Sequence, residues 1–443
     1  MAMKRPKLPG VFLFVVCLLA YFMFVKHHNA AQNHEPFRLP SYHPARPGPI
    51  GDTGPASAAA EQSFQYGIMF DAGSTGTRIH VFKFQVGNQE APKLAHETFK
   101  AIKPGLSAYA DDPDKCASGI AELLEVGKSS IPHSVWNITP VVLKATAGLR
   151  LLPGEKAIHL LENVRTLFHE SPFLSRHDSV SIMDGTDEGI SAWITVNFLL
   201  GGLHSADSPT VGMLDLGGGS TQITFSPQDE KTFQTSPIGY IRSFQMFNNT
   251  HTVYAHSYLG LGLMSARLAV LAGVDASPGG VTPELISPCL APDYSGSWEY
   301  IDVIYTVKGQ KAGEPAYDAC RTKVQKVLYK KVMKASEVAG MDFYAFSYYY
   351  DRAVDLGIIK EHMGGTIKVA DYIEAAKRVC NSPAISYLQS PFLCLDLVYI
   401  SVLLQELGFP PHKQFKLART INQVETSWAL GATFHYIESL KRL

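Results

Sequence analysis

Two segments of the chain combine an aspartate with a short turn that is rich in glycine, serine and threonine. Asp71 precedes the turn at 73–77, and Asp215, 144 residues later, precedes a similar turn at 217–221. Glycine lets the backbone approach an anion closely, and hydroxyl and N–H groups donate hydrogen bonds to phosphate oxygens. Because an aspartate repels a phosphate, a divalent cation must lie between them, and Mg²⁺ or Ca²⁺ held largely through water suits these oxygen ligands.

The two segments align without a gap. Each reads as an apolar strand, a tight turn and an alternating second strand, which is the pattern of a β-hairpin. One such segment alone is typical of an ordinary glycine-rich hairpin. Two copies at equivalent positions predict a duplicated lobe, with the hairpins facing each other across a cleft.

A stretch between the two hairpins brings further polar side chains toward the turns. Residues 141–150 read as a strand that runs into another small-residue turn. Thr146 and Arg150 in that turn either contact phosphate or cap the helix predicted over 157–167.

A second helix is predicted to begin near Thr186. The residues that follow are apolar at positions i, i+3 and i+4, which indicates a helical face. Glu188 then lies in the first turn of this helix. Taken alone, a glutamate there would simply compensate the helix dipole.

The composition excludes several classes of protein. The 443 residues include 39 Lys and Arg against 40 Asp and Glu, which gives a formal net charge of −1. No basic excess exists to neutralise nucleic-acid phosphates, so no nucleic-acid partner is expected. The hydrophobic fraction of 46% excludes a disordered polypeptide, and the length predicts two or three domains with ample core.

The N-terminal region predicts a cytoplasmic stub and signal anchor over residues 1–28. Basic residues precede an apolar run at 11–25, which would span ~23 Å as a helix. An uncleaved anchor is favoured, and a cleaved signal peptide is the alternative. In either case the charge pattern makes the rest of the chain lumenal. Residues 29–63 are rich in proline and predict a flexible stalk.

The cysteines fit an oxidising lumen. Among the six, proximity favours the pairs Cys289–Cys320 and Cys380–Cys394, and four buried thiols are the alternative. The absence of a C-x-x-C motif argues against a zinc site. Cys116 is left over and is expected to be a core thiol.

Two glycosylation sequons also suit a lumenal domain. They begin at Asn248 and Asn137, and Pro140 weakens the second of these.

Five segments resemble the apyrase motifs of the ectonucleoside triphosphate diphosphohydrolase (apyrase, guanosine diphosphatase) family. The segments are 71–78, 144–152, 183–193, 215–222 and 427–431. The runs at 343–351 and 258–263 are similar to the monomeric lumenal or secreted diphosphatase subgroup, types five and six. The anchor and residues 403–409 favour type six. The chain end lacks the apolar run of plasma-membrane members, so that subgroup is not expected.

This resemblance implies an α/β fold of the actin/Hsp70/hexokinase type, with two ribonuclease H-like lobes and the site between them. Lobe I would comprise residues 64–184, completed by 425–443, and lobe II residues 185–424.

The resemblance also implies attack by water on the terminal phosphorus of a metal-bound nucleotide. Glu188 would be the base, and Ser220 and Gln222 would hold the water. Asp71 and Asp215 would grip the hydrated Mg²⁺ or Ca²⁺. The phosphate cradle would consist of Ser74, Thr75, Gly76, Thr77, Thr146, Gly217, Gly218 and Gly219. Near a helix N-terminus and a cation, Glu188 is expected to stay ionised at neutral pH.

The substrate follows from the same resemblance. The small Gly76 implies preference for diphosphates, namely those of uridine, guanosine and inosine, over triphosphates. Tyr350, and next Tyr349, would stack on the nucleobase; otherwise this aromatic run is a half-buried strand. A broad apyrase in secreted form, a sugar-kinase-like phosphotransferase and a non-catalytic nucleotide-binding module are the alternatives.

The expected setting is the Golgi or ER membrane, with a single-pass type II anchor and a lumenal catalytic domain, or secretion after cleavage. The chain is expected to be a monomer. Its role would be to remove the nucleoside diphosphates that glycosyltransferases release.

Overall fold

The computed structural model describes residues 63–87, 92–203, 208–273, 284–301, 303–310, 316–382 and 390–441. The predicted anchor at 1–28 and nearly all of the predicted stalk at 29–63 lie outside these ranges. Within them, no helix is both long and apolar enough to cross a bilayer.

Strands and helices alternate along much of the chain, as expected for an α/β fold. In chain order they are β1 Ser63–Ala72, β2 Thr77–Val86, β3 Lys93–Ile102, α1 Cys116–Ser130, β4 Val141–Ala145, α2 Ala147–Arg150, α3 Gly154–Glu170, β5 Val180–Ile182, α4 Gly185–Leu199, β6 Gly212–Leu216, β7 Ser220–Phe225, α5 Glu230–Thr235, β8 Ile241–Met246, β9 Asn249–Leu259, α6 Leu263–Ala272, β10 Glu284–Ser287, β11 Ser295–Tyr300, β12 Val303–Gly309, α7 Ala316–Leu328, β13 Phe343–Ser347, α8 Tyr348–Asp355, β14 Gly365–Lys368, α9 Val369–Cys380, α10 Leu393–Leu407, β15 Gln414–Leu417, β16 Thr420–Ile421, β17 Val424–Glu425 and α11 Ala429–Lys441. The α/β class is confirmed.

The first sheet has five strands in the order β3-β2-β1-β4-β5. The β1–β2 hairpin is antiparallel, and β4 pairs with β1 in parallel. Helices α1 and α3 cover one face, where the rings of Phe70 and Phe168 lie 5.0 Å apart. The helix predicted over 157–167 is confirmed as α3, because Ala157, Leu160 and Leu161 begin its buried stripe.

The second sheet has seven strands in the order β14-β15-β13-β6-β7-β9-β8. The β6–β7 hairpin is antiparallel, and β13 pairs with β6 in parallel. Each sheet therefore contains a hairpin whose first strand has a parallel neighbour. Because the carboxyl ends of parallel strands meet at one sheet edge, both hairpin turns lie where functional side chains gather.

Helices α4 and α11 pack against each other; α11 also packs against β1, and α4 against β7 and β9. A side chain at position 431 would clash, since a Cβ on Gly431 would lie 2.0 Å from the carbonyl oxygen of Ser191. The N–H of Gly431 donates instead to the hydroxyl of Thr195 at 2.9 Å. The C-terminal helix thus meets α4 at backbone contact distance.

Both predicted disulfides are confirmed. Cys289–Cys320 joins the loop after β10 to α7, and Cys380–Cys394 joins α9 to α10. Cys116 is free and buried, and burial raises the pKa of its thiol. An unreactive core thiol is consistent with this environment.

The two sequon asparagines are exposed. Asn137 lies in a short 3₁₀ helix, His133–Ile138, and Asn248 lies in the turn between β8 and β9 at φ 64°. A left-handed φ is common for asparagine in such turns. Glycosylation at either position remains a prediction.

A buried ion pair ties three helices together. Asp396 of α10 accepts hydrogen bonds from the Nε and Nη2 atoms of Arg267 of α6, at 2.8 and 2.6 Å. The Nε atom of Arg352 of α8 lies 3.1 Å from the same carboxylate. Asp396 is 1% exposed, so its charge depends entirely on these partners.

Replacing Asp396 by alanine is expected to destabilise the fold by about 3–5 kcal/mol, because it leaves buried guanidinium groups without their counter-charge. Urea unfolding measures the change. The matched control is Glu374→Ala, which removes an ion pair with Lys377 at the solvent-exposed surface and is expected to leave the stability nearly unchanged. Equal losses in the two variants would contradict this account.

Candidate active site

The turns of the two hairpins have the same backbone geometry. In the first, the N–H of Gly73 donates to the carbonyl of Gly76 at 3.0 Å, and in the second the N–H of Gly217 donates to that of Ser220 at 3.0 Å. Both bonds join residues three apart, and the second pair follows the first by 144 residues. The internal repeat seen in the sequence is therefore also a repeat of structure.

The two turns touch each other. A Cβ added to Gly218 would lie 2.5 Å from Ser74 Oγ and 2.9 Å from Thr75 Cγ2. The predicted cradle residues Ser74, Thr75, Gly76 and Thr77 therefore meet Gly217, Gly218 and Gly219 at one place. Only a residue without a side chain allows this approach at position 218.

Thr146 lies beside the first turn. Its N–H donates to the carbonyl of Ala72 at 3.1 Å, and a Cβ on the nearby Gly148 would lie 2.9 Å from Ser74 Cα. Thr146 also immediately precedes the short helix α2, although its side chain makes no capping hydrogen bond there. The structure thus brings Thr146 to the predicted cradle.

Two carboxylates end the strands that lead into the turns. Asp71 is 5% exposed; its Oδ2 accepts from Arg78 at 3.0 Å, while its Oδ1 is buried without a hydrogen-bond partner in the described part of the chain. Asp215 accepts from the hydroxyl of Ser347 at 2.6 Å. Burial, and then the negative charge of Asp71, raise the pKa of Asp215.

These two residues fit a hydrated divalent cation. A cation would pair with the unsatisfied oxygen of Asp71 and would offset its repulsion of Asp215. Among the described residues, no three His, Cys, Asp or Glu side chains form a metal-binding group. An ion held by few carboxylates and several waters, as is usual for Mg²⁺, suits this arrangement better than a protein cage.

Glu188 lies in the first turn of α4, where it was predicted. The helix begins at Gly185, and the Asp184 side chain caps it by accepting from the N–H of Thr186 at 2.8 Å. Glu188 is 7% exposed and forms an ion pair with Arg150. Arg150 therefore contacts the predicted base. This partnership is neither the phosphate contact nor the helix cap that the sequence suggested for Arg150.

In the protein alone the surroundings of Glu188 oppose its ionisation, and its ionisation beside a bound cation stays a prediction. Burial raises the pKa of Glu188 to about 8, Arg150 opposes this, and Asp215 and Asp71 raise it further. Desolvation and two neighbouring carboxylates outweigh the helix N-terminus. Without a bound cation, this environment therefore favours the protonated form of Glu188.

Gln222 and Ser220 are buried together on β7. The Nε2 atom of Gln222 donates to Ser220 Oγ at 2.7 Å and to Ser257 Oγ at 2.9 Å. β7 packs against α4, so both side chains lie on the strand next to the helix of Glu188. The hydroxyl of Ser257 orients the amide, and the sequence analysis did not identify this residue.

Ser347 is a second residue that the sequence analysis missed. It ends β13 opposite Leu216, the residue after Asp215, and donates to that carboxylate. Its backbone has φ 54° and ψ −126°, which is unfavourable for a residue with a side chain. Ser347 could have been suspected as a site residue because it lies at the carboxyl end of β13, a strand parallel to β6.

The aromatic run at 348–350 forms the start of α8, and the prediction of a half-buried strand is wrong. β13 ends at Ser347, where the backbone turns. Tyr349 and Tyr350 are 0% and 3% exposed and belong to the core, and stacking of a nucleobase on either ring stays a prediction. Tyr348 is partly exposed and lies against the Arg352 guanidinium.

Comparison with known proteins agrees with this geometry. Residues 57–442 match the model of the GDA1/CD39 (nucleoside phosphatase) family. The chain is 56% identical over 428 residues to ectonucleoside triphosphate diphosphohydrolase 6 of Mus musculus, covering 96% of this chain and 94% of that protein. It is 51% identical over 377 residues to the nucleoside diphosphate phosphatase ENTPD5 of Homo sapiens, covering 85% and 88%.

The solved nucleoside triphosphate hydrolase structure from Neospora caninum shows a similar fold. It matches with a TM-score of 0.59 at 15% identity, over 86% of this chain and 94% of that chain. At this identity the likeness concerns the fold alone. The resemblance read from the five motifs, with type six favoured, is confirmed by the sequence comparisons. The chain belongs to the GDA1/CD39 (nucleoside phosphatase) family and is a hydrolase of nucleotide phosphates.

Proposed function

We propose that the protein removes the terminal phosphate of nucleoside diphosphates in a reaction that needs Mg²⁺ or Ca²⁺. The observation that carries this proposal is the buried Glu188, which lies close to Asp71 and Asp215 where two glycine-rich turns meet. Family members generally depend on a divalent cation. Such a cation would neutralise phosphate charge between the two aspartates.

The chain's own groups divide the work of hydrolysis. The N–H and hydroxyl groups of the two turns, which include Ser74, Thr75 and Thr77, hold the phosphate oxygens. Gln222 and Ser220 hold the attacking water, and Glu188 takes its proton. Phosphoryl transfer passes through a loose transition state, so positioning and neutralisation of spread charge supply most of the catalysis.

The raised pKa of Glu188 suits a general base. A carboxylate whose pKa is raised accepts a proton more readily than an exposed one. Arg150 holds the side chain and favours its ionised form. Arg150 therefore offsets part of the cost of ionising a buried base.

Gly76 supports a preference for diphosphates. No side chain extends from this position of the first turn, where only the carbonyl oxygen of Ile102 lies within 4 Å of an added Cβ, among the described atoms. By the family resemblance, a larger residue at this position contacts the outermost phosphate of triphosphates. The human relative of 51% identity is named a nucleoside diphosphate phosphatase, which agrees with this preference.

The proposed setting is the lumen of the Golgi or ER, with the chain a monomer on a single-pass type II anchor. The basic and apolar pattern of residues 1–28, the sequons and the two disulfides support it. There, removal of nucleoside diphosphates would relieve product inhibition of glycosyltransferases. Secretion after cleavage of the anchor is part of the same proposal.

A substrate panel tests the proposed function directly. Protein from a secretory host is expected to release free phosphate faster from UDP, GDP and IDP than from UTP, GTP and ITP. A chelator is expected to abolish the release, and Mg²⁺ or Ca²⁺ to restore it. Equal rates with triphosphates would instead favour a broad apyrase, and a phosphorylated acceptor in place of free phosphate would indicate a kinase.

Replacing Glu188 by glutamine is expected to lower kcat by at least ~100-fold, since the amide cannot accept the proton of water. Binding of a diphosphate, measured by calorimetry, should persist. Asp187→Asn is the control, because it changes the neighbouring carboxylate on the same helical turn. Turnover close to that of the wild type in Glu188→Gln would remove Glu188 from the role of base.

Replacing Arg150 by methionine is expected to move the acidic limb of kcat/KM to higher pH by about one unit or more. The positive charge of Arg150 lowers the pKa of Glu188, so its loss raises that pKa further. The base is then ionised only at higher pH, and activity lost at neutral pH should partly return as pH increases. The control is Lys156→Met, which removes an exposed ion pair with Asp111. An acidic limb that stays in place would show that Arg150 does not tune the base.

A further inference from the structure

A cavity of about 630 Å³ lies apart from the hairpin turns. On two sides it is bounded by β5 and β8, the edge strands of the five-stranded and seven-stranded sheets. Helices α4 and α11 line it with residues spaced as one helical face, among them Asp187, Ile190 and Ser191 of α4. The volume lies within the range of small-molecule binding sites.

Lys144 extends from β4 into this cavity. Its Nζ donates to Ser181 Oγ at 2.7 Å, and no carboxylate of the described residues lies within 4 Å of it. Burial lowers the pKa of Lys144, although Asp178 and Asp187 oppose this from a longer distance. A half-buried ammonium that has only a hydroxyl partner is costly unless a ligand supplies negative charge.

Two arginines line the same cavity. Arg242 of β8 has its closest carboxylate in Asp187, at 3.9 Å, which is a loose pair. Arg165 of α3 uses its two Nη atoms on Glu162 and on a backbone carbonyl, and its Nε is buried without a hydrogen-bond partner in the described structure.

The remaining titratable groups of the wall are His177, His435, Asp178, Asp187 and the phenol of Tyr436. One lysine and two arginines, Lys144, Arg165 and Arg242, therefore face two carboxylates. Serine hydroxyls add further hydrogen-bond donors, so the polar part of the cavity favours an anion with several oxygens.

The rest of the wall is apolar. Ile190, Phe244 and Tyr436 present hydrocarbon and ring surface to the cavity. Its volume exceeds the need of a bare phosphate ion, so an organic group can bury itself against these residues.

We propose that this cavity is a second binding site, separate from the catalytic one, for a small organic phosphate monoester whose phosphate lies against Lys144 and Arg242. The site is distinct because Asp187 lines it while the next residue, Glu188, lies near Asp71 and Asp215. Nucleoside monophosphates have this chemistry, and the proposed reaction produces them. Binding itself does not require that reaction.

Uridine 5′-monophosphate is the probe that tests this site, titrated into the full chain by calorimetry with Mg²⁺ and again with a chelator. The chelator should weaken binding at the cation-dependent catalytic site and leave binding at the cavity. Lys144→Met is expected to weaken the chelator-resistant binding by at least about tenfold, since one charge-assisted hydrogen bond is lost. Thr75→Ala, in the catalytic turn, should leave it unchanged.

Three controls make the result decisive. Lys156→Met removes a lysine outside the cavity and should bind like the wild type. Arg242→Met, at a side chain that is 49% exposed, should also weaken binding and serves if Lys144→Met does not fold. Inorganic phosphate should bind more weakly than the nucleotide. Absence of chelator-resistant binding, equal affinity in the cavity variants and the wild type, or phosphate binding as tightly as the nucleotide would each overturn the proposal.

Discussion

The crowding of Asp71, Asp215 and Glu188 is the constraint on which the rest of the site depends. Burial raises the pKa of Glu188 and of Asp215, and the negative charge of Asp71 raises both further. Each carboxylate has one polar side chain as a partner. Asp71 pairs with Arg78, Asp215 accepts a hydrogen bond from Ser347, and Glu188 pairs with Arg150. These partners balance the repulsion only in part, because one oxygen of Asp71 still lacks a donor. The unbalanced negative charge is what makes the place suited to a cation.

The repeated hairpins explain how this crowding is held in place. β1 pairs with β2 over its whole length and β6 pairs with β7, so each ladder fixes its aspartate within its own sheet. The parallel neighbours, β4 and β13, then bring Thr146 and Ser347 to the same sheet edges. The two hairpins share one topology, and each brings its own N–H and hydroxyl donors to the place where the two turns meet. Hydrolysis of a phosphate anhydride needs such fixed charges rather than mobile ones.

Much of this site could be predicted because its signals are local. The hairpin turns and the first turn of α4 are short patterns, and they placed the two aspartates and Glu188 correctly within their elements. The partnership of Ser347 with Asp215 joins residues 132 apart, which no local pattern shows. The prediction of a strand at 348–350 was wrong for a related reason. Aromatic residues favour strands by propensity, but the chain turns at Ser347, and packing against the core then buries Tyr349 and Tyr350 in a helix.

The fifth motif, at 427–431, has a physical explanation that differs from the others. Its Gly431 touches no predicted phosphate or metal ligand; it lets α11 approach the carbonyl oxygen of Ser191 on α4. Glu188 lies less than one helical turn before Ser191, so the C-terminal helix supports the helix that carries the proposed base. Because β1 packs against α11 as well, the helix of the base and the strand of Asp71 share one support. The proposed base needs a fixed distance to the attacked phosphorus, and this shared support, which lies outside the site, would help to hold it.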